Sequence, residues 1–143
     1  MAQKIKQISL MVQAMHLRRM FPDSQISTQN GNFLVWKHKL SPSPMGDEYS
    51  VKISYRLGKR PNVYIVEPKP LKKAEGKNRL EHVYNDKEQL LCLYYGNEWN
   101  ANMLISENIV PWIYDWLFHY EIRVGGGDWT GGGIHPEINK KLQ

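Results

Sequence analysis

The chain has 143 residues, of which 41% are hydrophobic, and this is enough to fold as one domain over residues 1–143. Its 19 basic and 14 acidic residues give a net charge of +5, which favours acidic partners but does not identify one. The single cysteine excludes an internal disulfide and a multi-thiolate zinc site. No stretch approaches the roughly 18 apolar residues of a membrane span, and no secretory leader opens the chain, so we expect a cytoplasmic protein without a membrane partner.

The first pattern along the chain is helical. Apolar side chains recur at steps of three and four residues: Ile5, Ile8, Met11, Val12 and Met15. This spacing predicts an amphipathic helix with these residues on its apolar face. The pattern stops near Phe21 and Pro22, where we expect the helix to end.

Three segments with a period of two follow. They are FLVWKHKL (33–40), EYSVKISYRL (48–57) and PNVYIVEP (61–68), each bounded by turn residues. In the second segment Val51, Ile53, Tyr55 and Leu57 lie on one face, as in a strand with one side on the core. The three segments together predict an antiparallel meander.

The second half of the chain combines a loop, a helix and a tail. Residues 68–89 are polar and lysine-rich without a sustained period, which predicts an irregular loop that leads to Cys92. After Trp99, helical spacing returns at Ile105, Ile109, Trp112, Ile113, Trp116, Leu117 and Tyr120. We expect Pro111 to kink or restart this helix. From about residue 125 the chain is glycine-rich, and this tail either caps the core or docks a partner around Trp129.

Cys92 admits two interpretations. Between Leu91 and Leu93 it has the setting of a small buried hydrophobic residue. It also follows a long segment rich in cations, and nearby cations favour the nucleophilic thiolate. The basic residues ahead of it are Lys72, Lys73, Lys77, Arg79 and His82. The surrounding motifs decide between the two interpretations.

The order of these features resembles the ubiquitin-conjugating (E2) enzymes, and more closely their bacterial relatives in antiphage (CBASS) islands. Members run helix, meander, long loop, cysteine and helix, and a histidine lies ten residues before their catalytic cysteine, as His82 precedes Cys92. Further similar motifs are RPNV (60–63), HVY (82–84), LCLYY (91–95), WNANMLIS (99–106), PW (111–112) and WTGGG (129–133). The resemblance therefore covers most of the chain.

The resemblance implies an α+β fold of the ubiquitin-conjugating type, with an active-site loop and with Cys92 as the nucleophile that carries an acyl group as a thioester. The histidine of the family motif is structural, so we assign His82 to the architecture of the loop. Tyr84 stands where the eukaryotic enzymes have an asparagine often assigned to the oxyanion, and Val83 replaces their proline. Tyr84, Asn85 and a backbone N–H are all candidate oxyanion donors, and we favour Tyr84.

The resemblance also implies partners. The acyl donor is either a ubiquitin-like protein or the C-terminus of a cGAS-like nucleotidyltransferase, supplied by an activating enzyme or bound directly. The step needs no cofactor, and His16, His38, His119 and His135 are too scattered for a metal site. One alternative is a non-catalytic adapter of the same fold with an inert Cys92. Another is a basic RNA-binding domain, but no groove-reading or stacking motif is visible, so we expect no nucleic-acid partner.

Overall fold

A computed structural model describes residues 7–127 of the chain. Within this range the order is helix α1 (Leu10–Met20), strands β1 (Gln25–Gln29), β2 (Phe33–Leu40), β3 (Tyr49–Arg56), β4 (Asn62–Glu67), β5 (Val83–Asn85) and β6 (Leu90–Leu91), and helix α2 (Val110–Val124). A 3-10 turn (Gly96–Glu98) and a π-helical turn (Ile105–Ile109) precede α2. The tail predicted around Trp129 lies outside the described residues.

The described strands form one antiparallel sheet in the order β1-β2-β3-β4-β6-β5. The predicted meander is confirmed as β2, β3 and β4, and the register aligns Trp36 with Ile53 and Ile53 with Val63. These three side chains are buried because alternate residues of each strand point to the same face. Leu57, predicted on this face, lies just beyond β3 and is only partly buried. The chain is therefore an α+β protein whose core lies on one face of the sheet.

Two parts of the sheet differ from the predictions. Strand β1 was missed because its sequence, QISTQ, shows little apolar alternation and lies mostly exposed at the sheet edge. Residues 68–89, predicted as an irregular loop, contain β5, and β6 follows them directly. Strands of three and two residues are too short to show a period in a sequence.

The predicted apolar face of the first helix is wrong, although the helix ends at Met20 as expected. Its buried residues are Leu10, Gln13, Ala14 and Leu17. Met11 is 80% exposed and Met15 is 45% exposed. The buried set has the same spacing of three and four residues, but it contains a glutamine, which hydropathy alone assigns to the solvent side. Ile5 lies outside the described residues.

Gln13 is buried because its amide group joins two parts of the chain. Its Nε2 donates to the Met103 carbonyl oxygen at 2.8 Å, and its Oε1 accepts from the Ile105 backbone N–H at 2.9 Å. Ile105 begins the π-helical turn, where the first N–H groups have no acceptor within the turn. The glutamine thus caps this turn from α1 and fixes the position at which the second helical segment starts.

Helix α2 begins as the sequence predicted, since Pro111 lies in its first turn and restarts the helix after the π-helical turn. Ile113, Trp116 and Leu117 are buried, and Ile113 and Leu117 each contribute about 1.5–3 kcal/mol through removal of their apolar surface from water. One helical turn further along, Glu121 accepts a hydrogen bond from the Tyr49 hydroxyl of β3 at 2.7 Å. Apolar burial and this polar contact hold α2 against the sheet.

Neither of the described helices has the combination of length and apolar character that crossing a bilayer requires.

We expect Gln13→Leu to lower the free energy of unfolding by about 1–3 kcal/mol, because it leaves a buried N–H and a buried carbonyl without their partners while keeping the volume similar. Urea denaturation followed by tryptophan fluorescence measures this. The control is Met11→Leu on the exposed side of the same helix, where we expect a change below about 0.5 kcal/mol. Equal stabilities of the two variants would contradict the capping role of Gln13.

Candidate active site

Cys92 lies directly after β6 and is half-buried. Its backbone N–H donates to the carbonyl oxygen of His82 at 3.0 Å. Its Sγ lies 3.7 Å from the carbonyl oxygen of Tyr94, within reach of a weak S–H hydrogen bond. The thiol is therefore held between the start of the β5–β6 hairpin and the segment that follows it, with part of its surface open to solvent.

His82 supports Cys92 through its backbone. The residue is buried and has a φ of +54°, in the left-handed region that side chains rarely adopt. Its carbonyl oxygen accepts a second hydrogen bond from Trp116 Nε1 of α2, at 3.0 Å. This carbonyl oxygen links the cysteine to the helix.

Tyr84 occupies a bulge in the hairpin. Val83 pairs with Leu91 and Asn85 pairs with Leu90, so Tyr84 is an extra residue on β5 with no partner opposite it. Bulges of this kind redirect a side chain and are common beside active sites. The redirected Tyr84 side chain lies close enough to Cys92 for hydrogen bonding and charge to raise the pKa of the phenol. The structure thus brings together the two residues that the sequence assigned to the chemistry.

Asn85, the other side-chain candidate for the oxyanion, has a role in the turn between β5 and β6. Its Oδ1 accepts from the Glu88 backbone N–H at 2.9 Å. Short polar side chains commonly stabilise turns by accepting from a backbone N–H two or three residues ahead. This turn contact, together with the closeness of Tyr84 to Cys92, favours Tyr84 over Asn85 as the group beside the sulfur.

Arg60 adds a cation that the sequence analysis noted only as part of the RPNV motif. Its Nη2 donates to the Tyr84 hydroxyl oxygen at 2.5 Å, and its Nε donates to the Tyr94 hydroxyl oxygen at 3.3 Å. The guanidinium also lies over both rings, 5.3 Å from the Tyr84 centroid and 4.8 Å from the Tyr94 centroid. No period or motif spacing signals this cluster, because Arg60 precedes β4, Tyr84 lies within β5 and Tyr94 follows β6.

The electrostatics keep the Tyr84 phenol protonated. Partial burial is the largest cause that raises the pKa of Tyr84, and its hydrogen bond and charge interaction with Cys92 act in the same direction. Arg60 opposes them, and the net effect is to raise the pKa of Tyr84 to about 12. At neutral pH the hydroxyl therefore retains the proton that it needs to donate a hydrogen bond.

Between residues 7 and 127 no group of three or more His, Cys, Asp or Glu side chains could hold a metal ion.

Of the loop cations predicted to act on Cys92, Lys72 is exposed, and its carbonyl oxygen accepts from the Tyr120 hydroxyl of α2 at 2.5 Å. This contact anchors the loop to the helix through its backbone. The cation that the structure connects to Cys92, through Tyr84, is Arg60.

The structure has an antiparallel sheet backed by a C-terminal helix, with a half-buried cysteine beside the hairpin at the sheet edge. This architecture is compatible with the ubiquitin-conjugating fold. The family model of the Type II CBASS E2 protein matches residues 13–136. The chain therefore belongs to the Type II CBASS E2 family, whose members are E2-like conjugation proteins that act with protein partners in CBASS. A comparison with curated proteins finds no significant match.

We expect His82→Gly to be more stable than His82→Ala by about 1 kcal/mol, because glycine adopts a positive φ without steric cost and alanine does not. Chemical denaturation of the two variants measures the difference. The same pair at the exposed Tyr95, whose φ is −122°, provides the control, and there alanine should be the more stable. An alanine variant at least as stable as the glycine variant at position 82 would contradict a role for the left-handed backbone.

Proposed function

We propose that the protein is a cysteine-dependent conjugation enzyme in which Cys92 carries the C-terminal acyl group of a protein donor as a thioester and transfers it to an amine. Membership of the E2 family supports this proposal. The observation that carries it is the placement of a protonated Tyr84, bonded to Arg60, beside a half-buried thiol. Such an arrangement supplies a hydrogen-bond donor where negative charge develops on sulfur or on the acyl oxygen.

Loading begins with attack of the Cys92 thiolate on the carbonyl carbon of an activated C-terminal glycine. The carbon–sulfur bond forms, the carbonyl oxygen becomes an oxyanion, and the activating group leaves with the electron pair of its bond. Tyr84 donates a hydrogen bond to the oxyanion in this step. A thiolate suits the reaction because it is nucleophilic near neutral pH without a strong base beside it.

In discharge the sulfur is the leaving group rather than the nucleophile. An amine attacks the thioester carbonyl carbon, an amide bond forms, and the carbon–sulfur bond breaks with the electron pair returning to Cys92. The amine loses its proton to solvent. The same Tyr84 hydroxyl then faces first the oxyanion and afterwards the released thiolate, so one donor serves both steps.

We propose the C-terminus of a cGAS-like nucleotidyltransferase as the donor, because the family belongs to CBASS. A ubiquitin-like protein is the second candidate. Activation of a carboxylate consumes a nucleotide, so an activating enzyme, or a donor that is activated before it binds, has to precede loading. We place the reaction within a single domain and in the cytoplasm, as the sequence analysis expects.

We expect wild-type protein copurified with its genomic neighbours to show a covalent adduct that a thiol reductant releases. Cys92→Ala abolishes this adduct, and Cys92→Ser, which is nearly isosteric, yields either no adduct or an oxyester that resists the reductant. Intact-mass spectrometry before and after reduction measures all three. Because the chain has one cysteine, Cys92→Ala combined with Ser27→Cys on the opposite edge strand β1 provides a one-thiol control that should remain unloaded. Loading of this control, or a wild-type chain that never loads, would favour the adapter interpretation.

We expect Tyr84→Phe to slow discharge of preloaded enzyme to free lysine by about 10²-fold, since it removes one oxyanion donor and keeps the ring. Single-turnover quenching of the thioester measures the rate. Loading should fall less if docking of the donor limits it. A discharge rate within about threefold of wild type would instead assign Tyr84 to packing and leave a backbone N–H as the donor.

A further inference from the structure

The direction of the hydrogen bonds around Tyr84 follows from the chemistry of its neighbours. A phenol hydroxyl has one proton and two lone pairs, whereas a guanidinium has donors only. Arg60 Nη2 donates to the Tyr84 oxygen at 2.5 Å and so occupies one lone pair. The Tyr84 proton cannot return to Arg60, and Cys92 is the other group whose hydrogen bonding and charge shift the pKa of Tyr84. The chain of donors therefore runs from Arg60 to Tyr84 and from Tyr84 to Cys92.

We infer that Arg60 is a positioning residue of the Cys92 site, which fixes the Tyr84 hydroxyl proton toward the sulfur and polarises the phenol as a donor. The inference rests on the proposed function of Cys92 as a nucleophile. Arg60 acts through Tyr84, so its effect extends to each species that the Tyr84 proton faces. These species are the thiolate before loading, the oxyanion, and the thiolate that leaves during discharge.

The contacts of Arg60 require an arginine. Its two N–H donors reach the hydroxyl oxygens of Tyr84 and Tyr94, and the planar group lies over both rings. Tyr94 is held in turn by Trp112 of α2, with ring centroids 5.4 Å apart, and by the contact of its carbonyl with Cys92 Sγ. A lysine supplies a point charge but cannot stack as a plane or divide fixed donors between two rings. The guanidinium thus sets the spacing between the two tyrosines on either side of the thiol.

The experiment measures the rate of alkylation of Cys92 by iodoacetamide against pH in the folded, full-length protein. We expect Arg60→Met to shift this rate profile toward slower alkylation at neutral pH, by about tenfold, because the sulfur loses the donor that Arg60 directs to it. Tyr84→Phe shifts the profile in the same direction. The double variant shifts it no further than Tyr84→Phe alone, because groups that act in series are not additive.

Two further variants test the positioning role. Arg56→Met is the matched control, since Arg56 lies over the Phe33 ring on another part of the sheet, and its profile should equal that of the wild type. Arg60→Lys retains the charge without the planar fork, so we expect it to resemble Arg60→Met. A wild-type profile for Arg60→Lys would assign the effect to charge alone and overturn the positioning role, as would an additive double variant. Circular dichroism of each variant confirms that it is folded.

Alkylation needs no acyl donor, so this test is independent of thioester formation. A shifted profile for Arg60→Met in a protein that never loads would refute the proposed function and leave the role of Arg60 intact. Normal loading with an unchanged Arg60→Met profile would refute the role of Arg60 alone.

Discussion

The carbonyl oxygen of His82 is the acceptor on which the candidate active site depends. It accepts from the Cys92 N–H and from Trp116 Nε1, both at 3.0 Å, and so joins the residue after β6 to the middle of α2. A buried group that loses its partner costs about 1–3 kcal/mol, which is a substantial fraction of the roughly 5–15 kcal/mol stability of a small domain, so the displacement of either donor is penalised. The position of the thiol is consequently fixed by the core rather than by the polar loop before it.

A second buried residue secures that loop. Gln89, just before β6, accepts from the Leu71 N–H at 2.7 Å through Oε1, and its Nε2 donates to the carbonyl oxygens of Ile65 and Pro68 at 2.9 and 3.1 Å. Gln89 and His82 both have a φ of +54°, so a left-handed residue immediately precedes each strand of the hairpin. A segment with little apolar surface is thereby ordered by backbone hydrogen bonds to one amide. The hairpin can then present Tyr84 in a bulge without loss of register at Val83 and Leu91.

The sequence predicted those parts of the protein in which apolar residues repeat over several turns or strand pairs. The meander of β2, β3 and β4 and the helix α2 are such parts, and Pro111 marked the place where α2 begins. The ten-residue spacing from His82 to Cys92 was also informative, and its physical basis is the hydrogen bond that closes the hairpin between them. Where polar residues are buried the pattern failed, because Gln13 points inward to form two hydrogen bonds while Met11 beside it is exposed. Arg60 was missed as a site residue for a related reason, since its contacts connect segments that share no periodicity.

The resemblance to the eukaryotic E2 enzymes implies an asparagine where this chain has Tyr84, and we propose that Arg60 allows a tyrosine to serve as the donor there. A side-chain amide carries its N–H donors in a plane, so its orientation alone determines where they point. A phenol hydroxyl rotates about its C–O bond and can point its proton to either side in the plane of the ring. A neighbour that donates to the oxygen from one side therefore directs the proton to the other side. Arg60 Nη2, at 2.5 Å, provides such a neighbour, and Tyr94 holds the same guanidinium from the other side. A tyrosine at this position without the arginine would supply a donor whose direction was undefined, and an arginine without the tyrosine would lose its connection to the sulfur. The two residues are therefore best understood as one functional unit, built from a strand end and a bulge that only the folded chain brings together.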